Sequence, residues 1–212
     1  AHACGGDGET AATGWTPAGL TATPPAGSST VAATASATPA TPAPPATSAS
    51  LEEARQQFGE GRYEEAGRSF EALAAAAKEP GLRAEALVSA GVASYQAGFR
   101  DRALEQLRQA LSLAPPGSQT ERRAGYLLGM RLQDAGRAPE AAEALRQLAA
   151  APYDDAFQPY VVAEYAKAAG RAGDGLVARE EWTRLLASPG LPTPLKLLAW
   201  REQAALAEAA GD

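Results

Sequence analysis

The fold of this chain is decided by the ten residues at positions 61–70, which read GRYEEAGRSF. A glycine opens the stretch, an alanine follows five residues later, and a large apolar residue comes four residues after that. This pattern returns along the chain at steps of 37 or 38 residues. The glycines are Gly61, Gly98, Gly136, Gly173 and Gly211; the alanines are Ala66, Ala103, Ala141 and Ala178; the apolar residues are Phe70, Leu107, Leu145 and Trp182. A period of this length is typical of stacked supersecondary units.

Amphipathic helices are predicted on both sides of each of the first four periodic glycines. Before Gly61, apolar residues recur at helical spacing, namely Leu51, Ala54 and Phe58. Ser50 stands where a helix N-cap is expected, and the next helix should run from Tyr63 until Pro80. A proline follows each predicted second helix: Pro80, Pro115, Pro152 and Pro189. The sequence therefore predicts an all-α chain from about residue 50, and regular helix pairs are favoured over an irregular helical array.

These helix pairs resemble the tetratricopeptide repeat (TPR) over about residues 50–212. The small residues that the family places in each first helix are matched by Gly91, Gly129 and Ala166. The resemblance implies a right-handed α-solenoid of about four and a half helix pairs, with repeats at 50–80, 84–115, 122–152 and 159–189 and a half repeat at 194–212. It also implies close approach of two helices at the periodic alanine, while the bulky residue fills the gap to the next repeat.

The last predicted helix ends at Gly211-Asp212, at the turn where a second helix would begin. Isolated solenoids generally need a terminal helix with a polar outer face, so we expect this last helix to be covered. Two alternatives stay open for what covers the last helix. One is the remainder of a longer solenoid, and the other is a second subunit in a head-to-tail contact that makes rings or filaments.

Residues 1–49 form a low-complexity segment rich in Ala, Thr and Pro. Such a segment alone cannot bury enough apolar surface to offset its ordering entropy. A three-residue period through positions 38–49 suits polyproline II, and the composition is also that of O-glycosylated stalks. We therefore expect an extended tail, linker or stalk. Its candidate functional residues are the apolar anchors Trp15 and Leu20 and the O-glycosylation sites Thr38, Thr41 and Thr47.

The composition indicates an exported bacterial protein. The chain has no Ile and no Asn and carries 16 Arg against 3 Lys, a bias typical of GC-rich bacterial genomes. Cys4 is the only cysteine, and three interpretations stay open for it: an inert thiol, an interchain disulfide partner or a lipidated residue. Together with the stalk-like tail, these features favour a location outside the cell or at its surface.

Catalytic, cofactor and metal sites are not expected. The only histidine, His2, lies in the tail, which argues against Ser-His-Asp or Cys-His catalysis. One His and one Cys cannot build a zinc site, and the glycine-rich segment 170–175 falls on a repeat turn after a helix. A net charge of −6 without a basic run argues against nucleic acid, and no apolar run approaches the ~18 residues of a membrane span. We expect no enzyme activity and a protein or peptide partner, including other copies of the chain.

The recurring first helices supply the candidate binding residues. By the resemblance, these helices line the concave surface, where we expect Arg55, Phe58, Val88, Val92, Tyr95, Tyr126, Met130, Gln133, Tyr160, Lys167, Arg171 and Arg201. Aromatic and apolar side chains on consecutive helices suit an extended or Pro-rich ligand. The alternative is that half of these residues belong to the core. The family members that clamp a terminal carboxylate use Asn, which argues against that ligand here.

Two functions compete. The first is a non-catalytic interaction module of an exported protein, in its sharper form a self-assembling subunit of an extracellular filament whose tail packs on a neighbouring copy. The second rests on a weaker resemblance, to the N-terminal helical region of bacterial lytic transglycosylases, where a similar tether leads into helical repeats. Their catalytic domain carries a Glu-Ser motif, and no Glu-Ser dipeptide occurs here. In that case the chain would be the scaffold of a cell-wall enzyme or lipoprotein.

Overall fold

A computed structural model describes residues 48–151 and 156–211 of the chain. All of them belong to one unit, Pro42–Asp212. Helices make up 81% of these residues and no β-strand occurs among them, so this part of the chain is all-α, as predicted. The predicted tail anchors, glycosylation sites and cysteine lie outside the described residues, as does one repeat proline: Trp15, Leu20, Thr38, Thr41, Thr47, Cys4 and Pro152.

The described residues form four helix pairs and a ninth helix, which confirms the predicted solenoid of four and a half pairs. In chain order the helices are α1 (Ser48–Gly59), α2 (Tyr63–Ala76), α3 (Pro80–Gln96), α4 (Arg100–Leu113), α5 (Gln119–Asp134), α6 (Ala138–Ala150), α7 (Gln158–Arg171), α8 (Gly175–Leu186) and α9 (Thr193–Ala210). None of the helices in these ranges combines the length and the hydropathy that crossing a membrane requires.

Two helix starts differ from the sequence prediction. α1 begins at Ser48, so Ser50 lies in the first turn of the helix and does not cap it. α3 begins at Pro80, four residues before the predicted start of the second repeat, while α2 already ends at Ala76. The reason is that proline suits the first position of a helix, because its φ is already helical and its missing N–H has no partner to lose there. Pro80 therefore starts a helix where the sequence predicted that it stops one.

The periodic glycines end the first helix of each pair. All five have a positive φ, between 73° and 92°, a conformation that costs other residues energy. In the four complete pairs the next residue donates its N–H to the carbonyl five residues earlier: Arg62 to Gln57 at 2.9 Å, Phe99 to Ser94 at 2.9 Å, Arg137 to Leu132 at 2.8 Å and Asp174 to Ala169 at 2.9 Å. This is the Schellman pattern of helix termination. It explains why glycine carries the period.

The bulky residue of each second helix packs onto the small residue of the first helix in the same pair. A Cβ added to Gly91 would lie 2.9 Å from Cγ of Leu107, and one added to Gly129 would lie 2.5 Å from Cδ1 of Leu145. Both leucines are buried. These contacts lie within a helix pair, whereas the sequence placed the bulky residue in the gap to the next repeat. The correction has a steric cause, since a glycine without a side chain leaves a notch that the leucine fills.

The first helices lie on the inner side of the stack. α3 contacts α5, α5 contacts α7, and α7 contacts α9. Among the described second helices (α2, α4, α6 and α8), no pair makes a comparable contact. Because helices on the inside of a curved stack lie closer together than those on the outside, the first helices form its concave surface.

Candidate protein-binding surface

A row of side chains crosses the concave surface at repeat spacing, and we call it the inner column. Its members are Arg55 on α1, Val92 on α3, Met130 on α5 and Lys167 on α7. Arg55 is exposed and the other three are half-buried. The inner column is therefore apolar in the middle and basic at both ends. It contains four of the predicted groove residues and is open to solvent along its length.

Tyr95 is held on the surface by two charged residues of α5. Its hydroxyl donates to Oδ2 of Asp134 at 2.8 Å, and the guanidinium carbon of Arg131 lies 3.7 Å from the ring centroid. Arg131 also pairs with Asp134 at 2.9 Å. Burial, followed by the hydrogen bond to Asp134, raises the pKa of Tyr95. Because the guanidinium covers one face of the ring, a ligand reaches Tyr95 only by its edge or its other face.

A second polar cluster joins α5 to α7. Nε2 of Gln133 donates to Oε2 of Glu164 at 2.9 Å, and Nη1 of Arg171 donates to Oε1 of Gln133 at 3.0 Å. Nζ of Lys167 donates to Oε1 of the same Glu164 at 2.9 Å. Gln133 is buried, so both ends of its amide have the partners that buried polar groups need. The cluster holds the cations of Lys167 and Arg171 at the α7 end of the surface.

Two of the predicted groove residues belong to the core instead. Val88 is 0% exposed and Tyr126 is 3% exposed. The ring of Tyr126 packs edge-to-face on Phe157, with 4.9 Å between centroids, and burial raises the pKa of its hydroxyl. Their side chains line the inside of the stack and do not reach a ligand.

The remaining predicted residues lie toward the two ends of the surface. Phe58 is half-buried at the α1 end, where its ring meets Tyr63 at 5.2 Å. Tyr160 is half-buried on α7. Arg201 is exposed on α9 and pairs with Glu202 at 2.8 Å. The two polar clusters contain Tyr95, Gln133, Lys167 and Arg171. Phe58, Tyr160 and Arg201 belong to neither cluster.

The sequence analysis missed three residues of these clusters: Arg131, Asp134 and Glu164. A signal for the first was present. At repeat spacing Arg131 falls in the same column as Ala93 and Ala168, both 0% exposed. A charged residue in a column of buried alanines needs a partner, and Asp134 stands one helical turn further on. The described residues contain no group of three His, Cys, Asp or Glu side chains that could hold a metal ion.

Comparisons with known proteins bear on the fold. No family model matches the chain, and no curated protein matches it. Several solved structures of repeat proteins are similar to it. A kinesin light chain with nearly identical TPR-like repeats from Podosopora anserina is 22% identical over 77% of this chain and 86% of its own, with a TM-score of 0.62. MamA AMB-1 is 19% identical over 77% and 88%, with a TM-score of 0.56.

The third structure, BtubC from P. vanneervenii, is 21% identical over 78% of this chain and 82% of its own, with a TM-score of 0.56. Identities this low speak for the fold alone. The repeated Gly, Ala and bulky positions, the Schellman turns and these structural neighbours agree. The chain has the fold of a TPR-like helical-repeat protein.

Proposed function

We propose that this chain is a non-catalytic adaptor that binds an extended segment of a partner protein along its inner column. The TPR-like fold supports a protein–protein interaction module. The observation that carries the proposal is a continuous row of exposed and half-buried side chains on four successive first helices. Its flanking side chains are held by polar contacts at the surface and partly beneath it. Side chains held in this way lose little conformational entropy when a ligand arrives, which favours binding.

The spacing of the helices sets the length of the segment. Packed helices lie about 8–10 Å apart, so the three steps from α1 to α7 span roughly 27 Å. An extended chain rises about 3.3 Å per residue, and a ligand that covers the inner column therefore has about eight residues.

The side chains of the inner column set the chemistry of the ligand. Val92 and Met130 offer apolar surface in the middle, and methionine adapts to ligands of different shape. Lys167 and Arg171 place cations at the α7 end, beside Glu164 and Gln133. The ligand that fits is an extended segment, apolar or Pro-rich at its centre, with an acidic side chain or free carbonyls near α7.

Selection from a displayed library of random ten-residue peptides tests this proposal. Peptides selected on the wild-type chain should share an apolar centre and bind the Met130→Glu and Lys167→Glu variants at least about tenfold more weakly, a loss typical of a central contact. Leu82→Glu is the matched control, because Leu82 is an exposed apolar residue of α3 outside the inner column. Selected peptides that bind all variants equally, while circular dichroism shows them folded, would place the binding surface elsewhere.

A second and finer candidate is a self-assembling exported protein in which the tail of one copy is the ligand of the next. What favours it is the sequence itself: the Pro-rich period at 38–49 and the predicted ligand of the inner column have the same chemistry. We infer a location at or beyond the cell surface from the stalk-like composition of residues 1–49. A synthetic peptide of residues 36–49 should then bind the chain and lose affinity for Met130→Glu. If library peptides bind and this peptide does not, self-assembly through the tail is wrong and the adaptor function stands.

The location is tested separately by fractionating the native cells and measuring the mass of the intact protein by mass spectrometry. Export predicts the protein in the surface or culture fraction. A mass increased by whole sugar units would show that the chain carries glycans, and the masses of proteolytic fragments would test whether they lie on Thr38, Thr41 and Thr47. Recovery from the cytoplasm alone would contradict export.

A further inference from the structure

One face of α9 is bare within the described part of the chain. Leu197 is 59% exposed and Trp200 is 56% exposed, and Ala204 is also exposed. The opposite face packs on the stack through Leu195 and Ala199, which are buried. In α3, α5 and α7 the positions that correspond to Ala204 are Gly91, Gly129 and Ala166, all buried. Burying apolar side chains the size of Leu and Trp is favourable by about 1.5–3 kcal/mol each, so this face is a strong candidate for a partner.

The bare face carries a self-complementary row. Lys196, Trp200, Ala204 and Glu208 follow one another at intervals of four residues, and residues at that spacing form a ridge on a helix. Neither Lys196 nor Glu208 makes an ion pair among the described residues. A base stands at one end of the row and an acid at the other, with the largest side chain beside the smallest in the middle.

We propose that this row is the contact surface for α9 of a second copy, in an antiparallel pair with a two-fold axis near position 202. In this arrangement the two rows lie side by side, the commonest way in which helices pack. Trp200 of each copy then lies against Ala204 of the other, and Lys196 of each copy lies opposite Glu208 of the other. A two-fold contact uses the same patch on both copies, and this row satisfies that condition with opposite charges and with a large residue against a small one.

The dimer goes beyond the proposed function, since none of its residues belongs to the inner column. α9 has 18 residues, about 27 Å at 1.5 Å per residue. A single helix pair of that length lies at the small end of specific interfaces, below about 1,200 Å². The dimer is therefore expected to form and dissociate with concentration in the micromolar range.

Sedimentation equilibrium of the full 212-residue chain across the micromolar range tests the proposal. The wild type should change from monomer to dimer as its concentration rises. Trp200→Ala should raise the dissociation constant at least about tenfold, as is typical of a buried tryptophan at an interface. Leu82→Ala is the control and should leave the constant unchanged, because Leu82 is similarly exposed on α3.

Charge reversal tests the geometry of the pair. Lys196→Glu and Glu208→Lys should each weaken self-association at least about tenfold, because each variant brings like charges together. An equimolar mixture of the two variants should dimerise as well as the wild type to within about threefold, since every pair in the mixed dimer is again opposite. The matched control is a mixture of Lys78→Glu and Glu52→Lys, because both residues are exposed and lie in other parts of the stack.

Three results would overturn the proposal. The wild type could remain a monomer at every concentration, which would leave the face for a further helix of a longer chain or for another protein. A dimer could persist in Trp200→Ala and in both charge variants, which would assign self-association to another surface. Failure of the mixture to restore dimerisation would exclude the antiparallel pairing.

Discussion

α5 and α9 occupy the same place in their repeats but are covered to very different extents. α5 lies between neighbours on both sides and buries both glycines of its packing face, Gly125 and Gly129. α9 has the small residue Ala204 at the position of Gly129, yet only Leu195 and Ala199 of its residues are buried. The repeat pattern therefore specifies which side chains can be covered, and the neighbouring helices decide which of them are.

The difference matters because the stability of a stacked-repeat protein is close to a sum of contacts between neighbours. A substitution in α5 disturbs the contact with α6 and, through it, the cooperative part of the stack. The same substitution on the bare face of α9 disturbs no contact among residues 48–151 and 156–211. Pairs of substitutions at equivalent positions can therefore measure how much burial contributes.

The largest effect is expected when leucine replaces the small residue at equivalent positions of α5 and α9, namely Gly129 and Ala204. Gly129→Leu should lower the free energy of unfolding by about 3 kcal/mol, because its side chain would occupy the space of Leu145, which is 0% exposed. Ala204→Leu should change it by less than about 0.5 kcal/mol, as for most surface positions. Urea unfolding, followed by circular dichroism at a concentration where the chain is monomeric, measures both. Equal losses for the two variants would show that α9 is covered in solution.

Most of the fold could be predicted from the sequence because each periodic residue has a local physical reason. Gly98 and Gly136 are needed for a positive φ, and Ala103 and Ala141 sit at crossings too close for a larger side chain. Such constraints repeat wherever the same turn and the same crossing repeat. The helix count followed from them, whereas the start of α3 did not, since a proline can either end a helix or begin one.

The binding surface could be predicted less well because it depends on which neighbour a side chain meets. Periodicity placed Tyr126 on the inner face of α5, but the ring of Phe157 from the next repeat covers it. It also placed Tyr95 on the inner face of α3 but did not show that Arg131 and Asp134 hold it. The contacts of Tyr126 and Tyr95 cross between repeats, and the pattern of one helix does not show which side chain of the next repeat a residue meets.

An intermediate effect is expected for substitutions of Arg131, which stands in α5 where α3 and α7 have the alanines Ala93 and Ala168. Arg131→Ala should destabilise the chain by about 2 kcal/mol, because it removes a stacked guanidinium and leaves Asp134 without its ion pair. Arg131→Lys should recover less than half of this loss, since an ammonium cannot lie flat on the ring of Tyr95 while it pairs with the carboxylate. The midpoint of urea unfolding measures both variants. Full recovery by lysine would show that charge alone matters at this position.

A smaller effect is expected at the turns. Gly136→Ala places a Cβ in a left-handed conformation and should lower the stability by about 1 kcal/mol. Gly211→Ala introduces the same strain at the end of α9, where φ is 79°. The last turn of α9 can fray there without disturbing any other helix, so the loss in global unfolding should stay below about 0.5 kcal/mol. Thermal unfolding of both variants is the measurement, and a larger loss for Gly211→Ala would contradict the comparison.

The smallest effect at neutral pH is expected for Tyr126, whose ring is covered by Phe157 of the next repeat. Burial raises the pKa of Tyr126 above its ordinary value of about 10, so the folded chain keeps the proton that the unfolded chain loses. The stability that this proton provides is present in full below pH 10 and decreases as the pH rises from there toward the raised pKa of the folded state. The wild type should therefore lose more stability than Tyr126→Phe between pH 9 and pH 11, while the difference between the two proteins stays constant from pH 7 to pH 9. Urea midpoints at these pH values measure the change, and parallel curves up to pH 11 would show that Tyr126 is open to water in solution.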